Sequence, residues 1–154
     1  MQGKTVLGTW CEIPSPEVTH ILAKAGLDFV IIDMEHGAMD FKIASLMVTA
    51  AQVEGCCPII RVSRNDESDI LRALEIDAQG IVIPHVDSPK DREAAIQSIK
   101  FWPLGSRSLN PYTKAGGYES TLQFTNRQND QTLTILIIEG QEGIANINEI
   151  IDHP

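Results

Sequence analysis

The sequence is short of cysteine, short of aromatic side chains and without any long apolar run. Its three cysteines, two of them adjacent at Cys56 and Cys57, are too few and too close for a disulfide framework. Cys56 and Cys57 read as buried loop residues. No stretch approaches the ~18 consecutive apolar residues of a membrane-crossing helix. Met1-Gln2-Gly3-Lys4 leads into a short strand-like run without the apolar stretch of a secretion signal. Basic residues are outnumbered, 12 against 21 acidic, giving a formal charge of −9 and a pI near 4.8. Such a surface repels phosphate backbones, so no nucleic-acid partner is expected. Neither GxGxxG nor GxxxxGK followed by Ser or Thr occurs, and Trp10-Cys11-Glu12-Ile13-Pro14 stands where a nucleotide fold would need glycines. These absences point to a cytoplasmic protein with no membrane partner and a small-molecule ligand.

What is present is a repeat. The chain has 154 residues, 43% hydrophobic, with a mean hydropathy of −0.05, enough for one domain with a real core. Strand-like runs occur at Val6–Thr9, Phe29–Ile32, Pro58–Ile60, Gly80–Ile83 and Leu133–Ile138. Amphipathic stretches at Pro16–Ala25, Phe41–Val53, Glu67–Ile76 and Ser88–Lys100 separate the first four runs and follow them. Pro16 suits a first helical turn, Gly26 its end, and Asn65 or Asp66 a cap. Strand, loop and helix recurring about every 22–29 residues is the rhythm of a parallel sheet. The segment from Phe101 to Tyr118 breaks it. Gly105–Ser108 is compatible with a short fifth strand, and the remainder reads equally as a surface loop or a cover over the mouth. Glu119–Gln128 would be the next helix and Leu133–Ile138 the sixth strand. Six βα units fall short of the eight, and of the ~250 residues, of a closed barrel. The first and sixth strands would then be open edges.

The site candidates sit where such folds carry chemistry, at the carboxyl ends of strands. The segment IIDMEHG (31–37) runs from a buried strand straight into Asp33, Glu35 and His36. Arg61 follows the third strand, His85 the fourth and Glu139 the last. A carboxylate at such a rim can hold a hard divalent cation, an imidazole can move protons, and a guanidinium can grip a carboxylate with paired hydrogen bonds. That set suits proton abstraction or aldol cleavage at a 2-oxo acid. Arg107 and His85 read as pocket linings, Trp10 as packing, and His20 and His153 as structural or solvated.

The strings at 7–37, PIIRV (58–62), LRALEIDAQGIVIPHV (71–86), PLGSRS (103–108) and IIEGQEGIANINEI (137–150) resemble the HpcH/HpaI aldolase family. The resemblance implies an incomplete α/β (β/α) TIM barrel of the phosphoenolpyruvate/pyruvate type, spanning residues 1–154 as one domain. It also implies metal-dependent class II aldolase chemistry, splitting a 4-hydroxy-2-oxo acid into pyruvate and an aldehyde with Mg, Mn or Co as cofactor. By the same resemblance His36 is the acid/base residue, Arg61 the pyruvate-binding arginine and Glu139 a metal ligand. Asp33 lies near the metal, directly or through water, with Glu35 beside it. Three features depart from the family pattern. Glu75 stands where an aspartate pairs with the histidine, and Ile137 where some members carry a substrate-binding glutamine. The GPxDLS-like segment with a second metal carboxylate would begin beyond Pro154. Family members form homo-oligomers, commonly hexamers. Two other readings stay open: a catalytically inactive homologue serving as an assembly module, and a citrate-lyase-like enzyme acting on a thioester.

Overall fold

The computed structural model describes residues 3–119 and 123–152. Its elements are β1 (Gly8–Cys11), α1 (Pro16–Lys24), β2 (Phe29–Asp33), α2 (Phe41–Val53), β3 (Cys57–Arg61), α3 (Glu67–Glu75), β4 (Gly80–Ile83), α4 (Pro89–Ile99), α5 (Phe124–Gln131), β5 (Leu133–Leu136), α6 (Gln141–Ala145) and α7 (Ile147–Ile151). The strands form one parallel sheet in the order β1-β2-β3-β4-β5. Sequential parallel neighbours, each joined by a crossover helix, are the opening run of a (β/α) barrel.

Local chemistry sets the boundaries. Ser15, Asp40, Asp66 and Ser88 cap α1 to α4, each accepting from a first-turn N–H, and these bonds satisfy donors that a helix start leaves free. Asp66 rather than Asn65 caps α3, taking both Ser68 and Asp69 N–H. Pro16 and Pro89 occupy first-turn positions. Gly26 follows α1 with φ of +96°, a conformation that costs glycine nothing.

The strand period of two sorts side chains between the faces. Ile32, Ile60, Ile81 and Ile83 pack with Ala44, Met47, Val48, Ile70, Leu74, Ala95 and Ile99 in the layer beneath the helices. Each such aliphatic group withdrawn from water contributes roughly 1.5–3 kcal/mol. Ile31, Ile59 and Val82 form a separate cluster on the other face, flanked by Phe29, Cys57, Ile135 and Ile137. In a closed barrel that face is the interior.

The expected fifth strand does not form, so the described residues hold five strands rather than six. The Gly105–Ser108 stretch folds back on the end of α4. Ser106 N–H donates to the Gln97 carbonyl and Arg107 N–H to that of Lys100, both at 2.9 Å, while a side chain at Gly105 would collide with the Lys100 carbonyl. Arg107 is buried with its guanidinium 4.4 Å over the Phe101 ring. Nor does the 101–118 segment cover the mouth. Ala115 N–H donates to the Glu75 carbonyl at the end of α3, and helices that return along a parallel sheet end beside the strands' amino termini. The loop therefore closes the opposite end of the sheet. β1 begins and ends two residues later than expected. The helix expected at Glu119–Gln128 appears as α5, shifted three residues along at its end; residues 120–122 and His153 lie outside the described residues. Among those described, no helix is long and apolar enough to cross a membrane.

Removing the α3 cap with Asp66→Ala should cost about 1 kcal/mol, read as a lower urea midpoint at unchanged m-value.

Candidate active site

The register of β2 and β3 builds the site. Asp33 and Arg61 are direct Cα partners at the carboxyl ends of their strands, so their side chains leave the same face at the same level. Arg61 Nε donates to Asp33 Oδ1 at 2.9 Å, and Nη2 donates to Asp33 Oδ2. The backbone N–H groups of Glu35 and His36 also donate to Asp33 Oδ1, at 3.0 and 3.2 Å. The Asp33 side chain is fully buried and that of Arg61 12% exposed. Burial alone would raise the Asp33 pKa. The Arg61 hydrogen bonds and then the His36 and Glu35 amides outweigh it, and the carboxyl ends below its ordinary value. The same bond to Asp33 raises Arg61 above its own.

A second tier surrounds this pair. Glu35, 11% exposed, places Oε2 3.1 Å from Arg61 Nη1 and Oε1 3.2 Å from His85 Nε2. His85 follows β4 with φ of +54°, a left-handed backbone uncommon outside glycine. This turn sets its ring between two carboxylates, with Nδ1 3.1 Å from Glu139 Oε1, while its own backbone N–H donates to the same oxygen at 3.0 Å. Trp10 at the end of β1 lies under the Arg61 guanidinium at 4.5 Å, a cation–π contact. His36 stands outermost, its side chain 68% exposed and Nε2 4.0 Å from Glu35 Oε2.

The structure thus brings Asp33, Arg61, Glu139 and His36 to one rim. It does not bring Glu75 there. Glu75 is the last residue of α3, and a helix antiparallel to its strand ends at the far side of the sheet. Within this chain Glu75 faces Arg107 electrostatically and lines a surface cleft with Lys42, Thr113 and Lys114. The expected pairing of His36 with Glu75 is therefore replaced by contact with Glu35. Of the two contacts expected for Asp33, direct or through water, the structure disfavours the direct one. Both its oxygens are taken by Arg61 and two amides, so it serves Arg61 rather than a cation directly. Glu35 and His85 proved more central than their sequence context suggested. His85 had the same signal as Glu139, a first polar side chain after a buried strand.

A divalent cation of the kind the resemblance implies needs oxygen donors. Glu139, with a side chain 41% exposed and Oε1 held by His85, can offer its second oxygen. Three carboxylates against one guanidinium leave the rim with surplus negative charge. The donor set is hard and anionic, and it fits one wall of such a site. Among the described residues no three His, Cys, Asp or Glu side chains are grouped to hold an ion.

Residues 7–154 match the HpcH/HpaI aldolase/citrate lyase family, and the chain belongs to it. It is 32% identical to the 2-dehydro-3,6-dideoxy-6-sulfogluconate aldolase of Pseudomonas putida, over 96% of this chain and 58% of that protein. Among solved structures it is similar to an HpcH/HpaI aldolase from Desulfitobacterium hafniense DCB-2, at TM-score 0.87 and 29% identity over 96% of this chain and 58% of that one. It is also similar to the citrate synthase SbnG, at TM-score 0.87 and 32% identity over 96% and 57%. The chain spans less than three-fifths of the length of these relatives, and its sheet is the corresponding part of an aldolase-type barrel.

Asp33→Asn should cost roughly 3–5 kcal/mol, because it removes the fully buried partner of the shielded Arg61 charge and leaves Glu35 alone opposite it. The wild-type contribution is complete above the unfolded aspartate pKa near 4 and is lost as pH falls through the lower folded value. Acid titration of the denaturation midpoint should show that loss in wild type and not in Asp33→Asn.

Proposed function

We propose that the chain is the catalytic wall of a metal-dependent carbon–carbon lyase that splits a 4-hydroxy-2-oxo acid into pyruvate and an aldehyde. The observation that carries this is Arg61, anchored by Asp33 and Glu35 beside His36 and Glu139 on one rim. A guanidinium has five N–H donors. Three contacts hold Arg61 to Asp33 and Glu35, leaving two N–H groups for the substrate carboxylate. His36, solvent-facing at the mouth, takes the 4-hydroxyl proton through a water. The C3–C4 bond then breaks, its electrons pass to C3 and the 2-oxo group as the pyruvate enolate, and the aldehyde leaves. A proton returned to C3 completes pyruvate. Arg61 offsets the charge growing on the enolate, and Trp10 under its plane keeps water from one side. Magnesium, manganese or cobalt, held at Glu139 with Asp33 reached only through water, would supply charge stabilisation at the 2-oxo oxygen.

The net charge of −9 argues against nucleic acid, and a small anionic substrate would bind against it through the local cation Arg61. The same reading carries a cytoplasmic homo-oligomer. Likeness to the citrate synthase SbnG favours a second reading, carbon–carbon chemistry on a citrate-like acid at the same rim.

Pyruvate release from a panel of 4-hydroxy-2-oxo acids, with each metal added, tests the proposal. Wild type should release pyruvate only with metal, Arg61→Lys should lose on the order of 10²–10³-fold in rate, and Glu139→Gln should lose its metal response. A folded wild-type chain inactive on the whole panel would overturn it.

A further inference from the structure

We infer that a cleft beneath the amino end of the sheet, apart from the rim, is a binding site for a small polyhydroxylated anion, a sugar acid or a sugar phosphate. The cleft holds about 580 Å³, within the ~300–1,000 Å³ of small-molecule sites. Its walls are the turn after α3, the 114–117 loop, α5 and the residue before β5. Two hydrogen bonds tie these walls together. Ala115 N–H donates to the Glu75 carbonyl, and Leu133 N–H to that of Gln79.

The observation that points to a ligand is Arg107, which backs this cleft. It is 6% exposed. Among the described residues its guanidinium makes one hydrogen bond, from Nη1 to Gln128 Oε1 at a long 3.5 Å, and its buried Nε has no partner. The Phe101 ring beneath it answers its charge but not its N–H groups. A buried charge left without hydrogen-bond partners is costly. Gln128 is itself a wall of the cleft, so an oxyanion entering beside it meets Arg107 from the open side.

Charge and lining choose the occupant. Lys114 and Arg127 line the cleft with Arg107 behind them, against Asp77 in the lining and Glu75, whose charge Arg107 feels. Asp77 is already engaged, its Oδ2 accepting from Gln52 Nε2 at 2.6 Å. The local surplus is positive in a chain of net charge −9. Guanidinium edges grip carboxylate or phosphate oxygens in pairs. Gln79, Gln128 and Gln131 add amides to the walls. Each amide both donates and accepts, which suits hydroxyl groups rather than an apolar body.

Magnetic resonance of the arginine side-chain Nε–Hε groups in the full chain tests this independently of catalysis. Sodium gluconate and glucose-6-phosphate are titrated in turn, with sorbitol as the neutral polyol and sodium sulfate as the bare anion. The Arg107 signal should shift saturably with one or both of the first two, while the Arg61 signal at the opposite rim stays in place. A stronger response to gluconate assigns a carboxylate head, and to glucose-6-phosphate a phosphate head; either upholds the inference. Arg127→Gln and Lys114→Gln should each weaken binding about tenfold, and Lys90→Gln, exposed at the start of α4, should not. Circular dichroism confirms that each variant is folded, and Arg127→Gln, at an exposed position of α5, suffices should Lys114→Gln unfold. No shift with either ligand, a shift matched by sorbitol or by sulfate alone, movement of Arg61 in place of Arg107, or indifference to Arg127→Gln would each overturn the inference.

Discussion

The rim depends on one buried ion pair. Asp33 and Arg61 face each other across adjacent strands in direct register, and a buried pair repays its desolvation only when every lone pair and N–H is used well. Asp33 meets that condition with Arg61 on both oxygens and two amides on one of them. Those amides belong to Glu35 and His36, so the bonds that satisfy Asp33 also fix the turn that presents the next two site residues. A well-packed apolar pair at the same register would satisfy the sheet equally. It would leave the Met34–Gly37 turn without its anchor and the rim without a cation.

Two arginines show how much depends on the end of the sheet at which a charge sits. Arg61, at the carboxyl end, touches Asp33 and Glu35 and feels the charge of Glu139, and its positive form is reinforced. Arg107, at the amino end, is buried over Phe101 with one long contact to Gln128. Desolvation pulls its pKa down to about 10 despite the favourable charge of Glu75. One arginine stands among carboxylates at the rim, and the other holds a loop against the floor of the sheet. Glu75, expected beside His36, belongs electrostatically to the second.

The rhythm of the fold was legible because each βα unit carries its own signals: a β-rich run, an apolar helical face, a capping residue. The strand order follows from that rhythm. The same signals misplaced Gly105–Ser108, since three small residues around an arginine look alike in a strand and in a turn stacked on a helix end. Only the close approach of Gly105 to the Lys100 carbonyl separates them, and that is a tertiary fact. The rim positions of Asp33, His36, Arg61 and Glu139 were legible from strand ends alone. Partnership was not. Which carboxylate meets which imidazole depends on helix direction and on the left-handed turn at His85, and neither has a local sequence signature.

The charge of the rim constrains the order in which it can be filled. Asp33, Glu35 and Glu139 outnumber Arg61, so with neutral imidazoles the wall is net negative. A carboxylate docking on Arg61 approaches within a few ångströms of Glu35 and Glu139. Like charges about 4 Å apart in a partly buried setting oppose each other by about 4 kcal/mol, comparable to what a paired guanidinium returns. Asp33 does not add to that opposition in full, because its charge is already spent on Arg61 and two amides. Glu139 does, with its outer oxygen uncommitted. On the proposed reading, a divalent cation at that oxygen would reverse the local sign, turning the carboxylate that most repels an anionic 2-oxo acid into the one that recruits it. The half-exposed position of Glu139, costly to an anion-binding site on its own, would then be a condition for binding the proposed substrate.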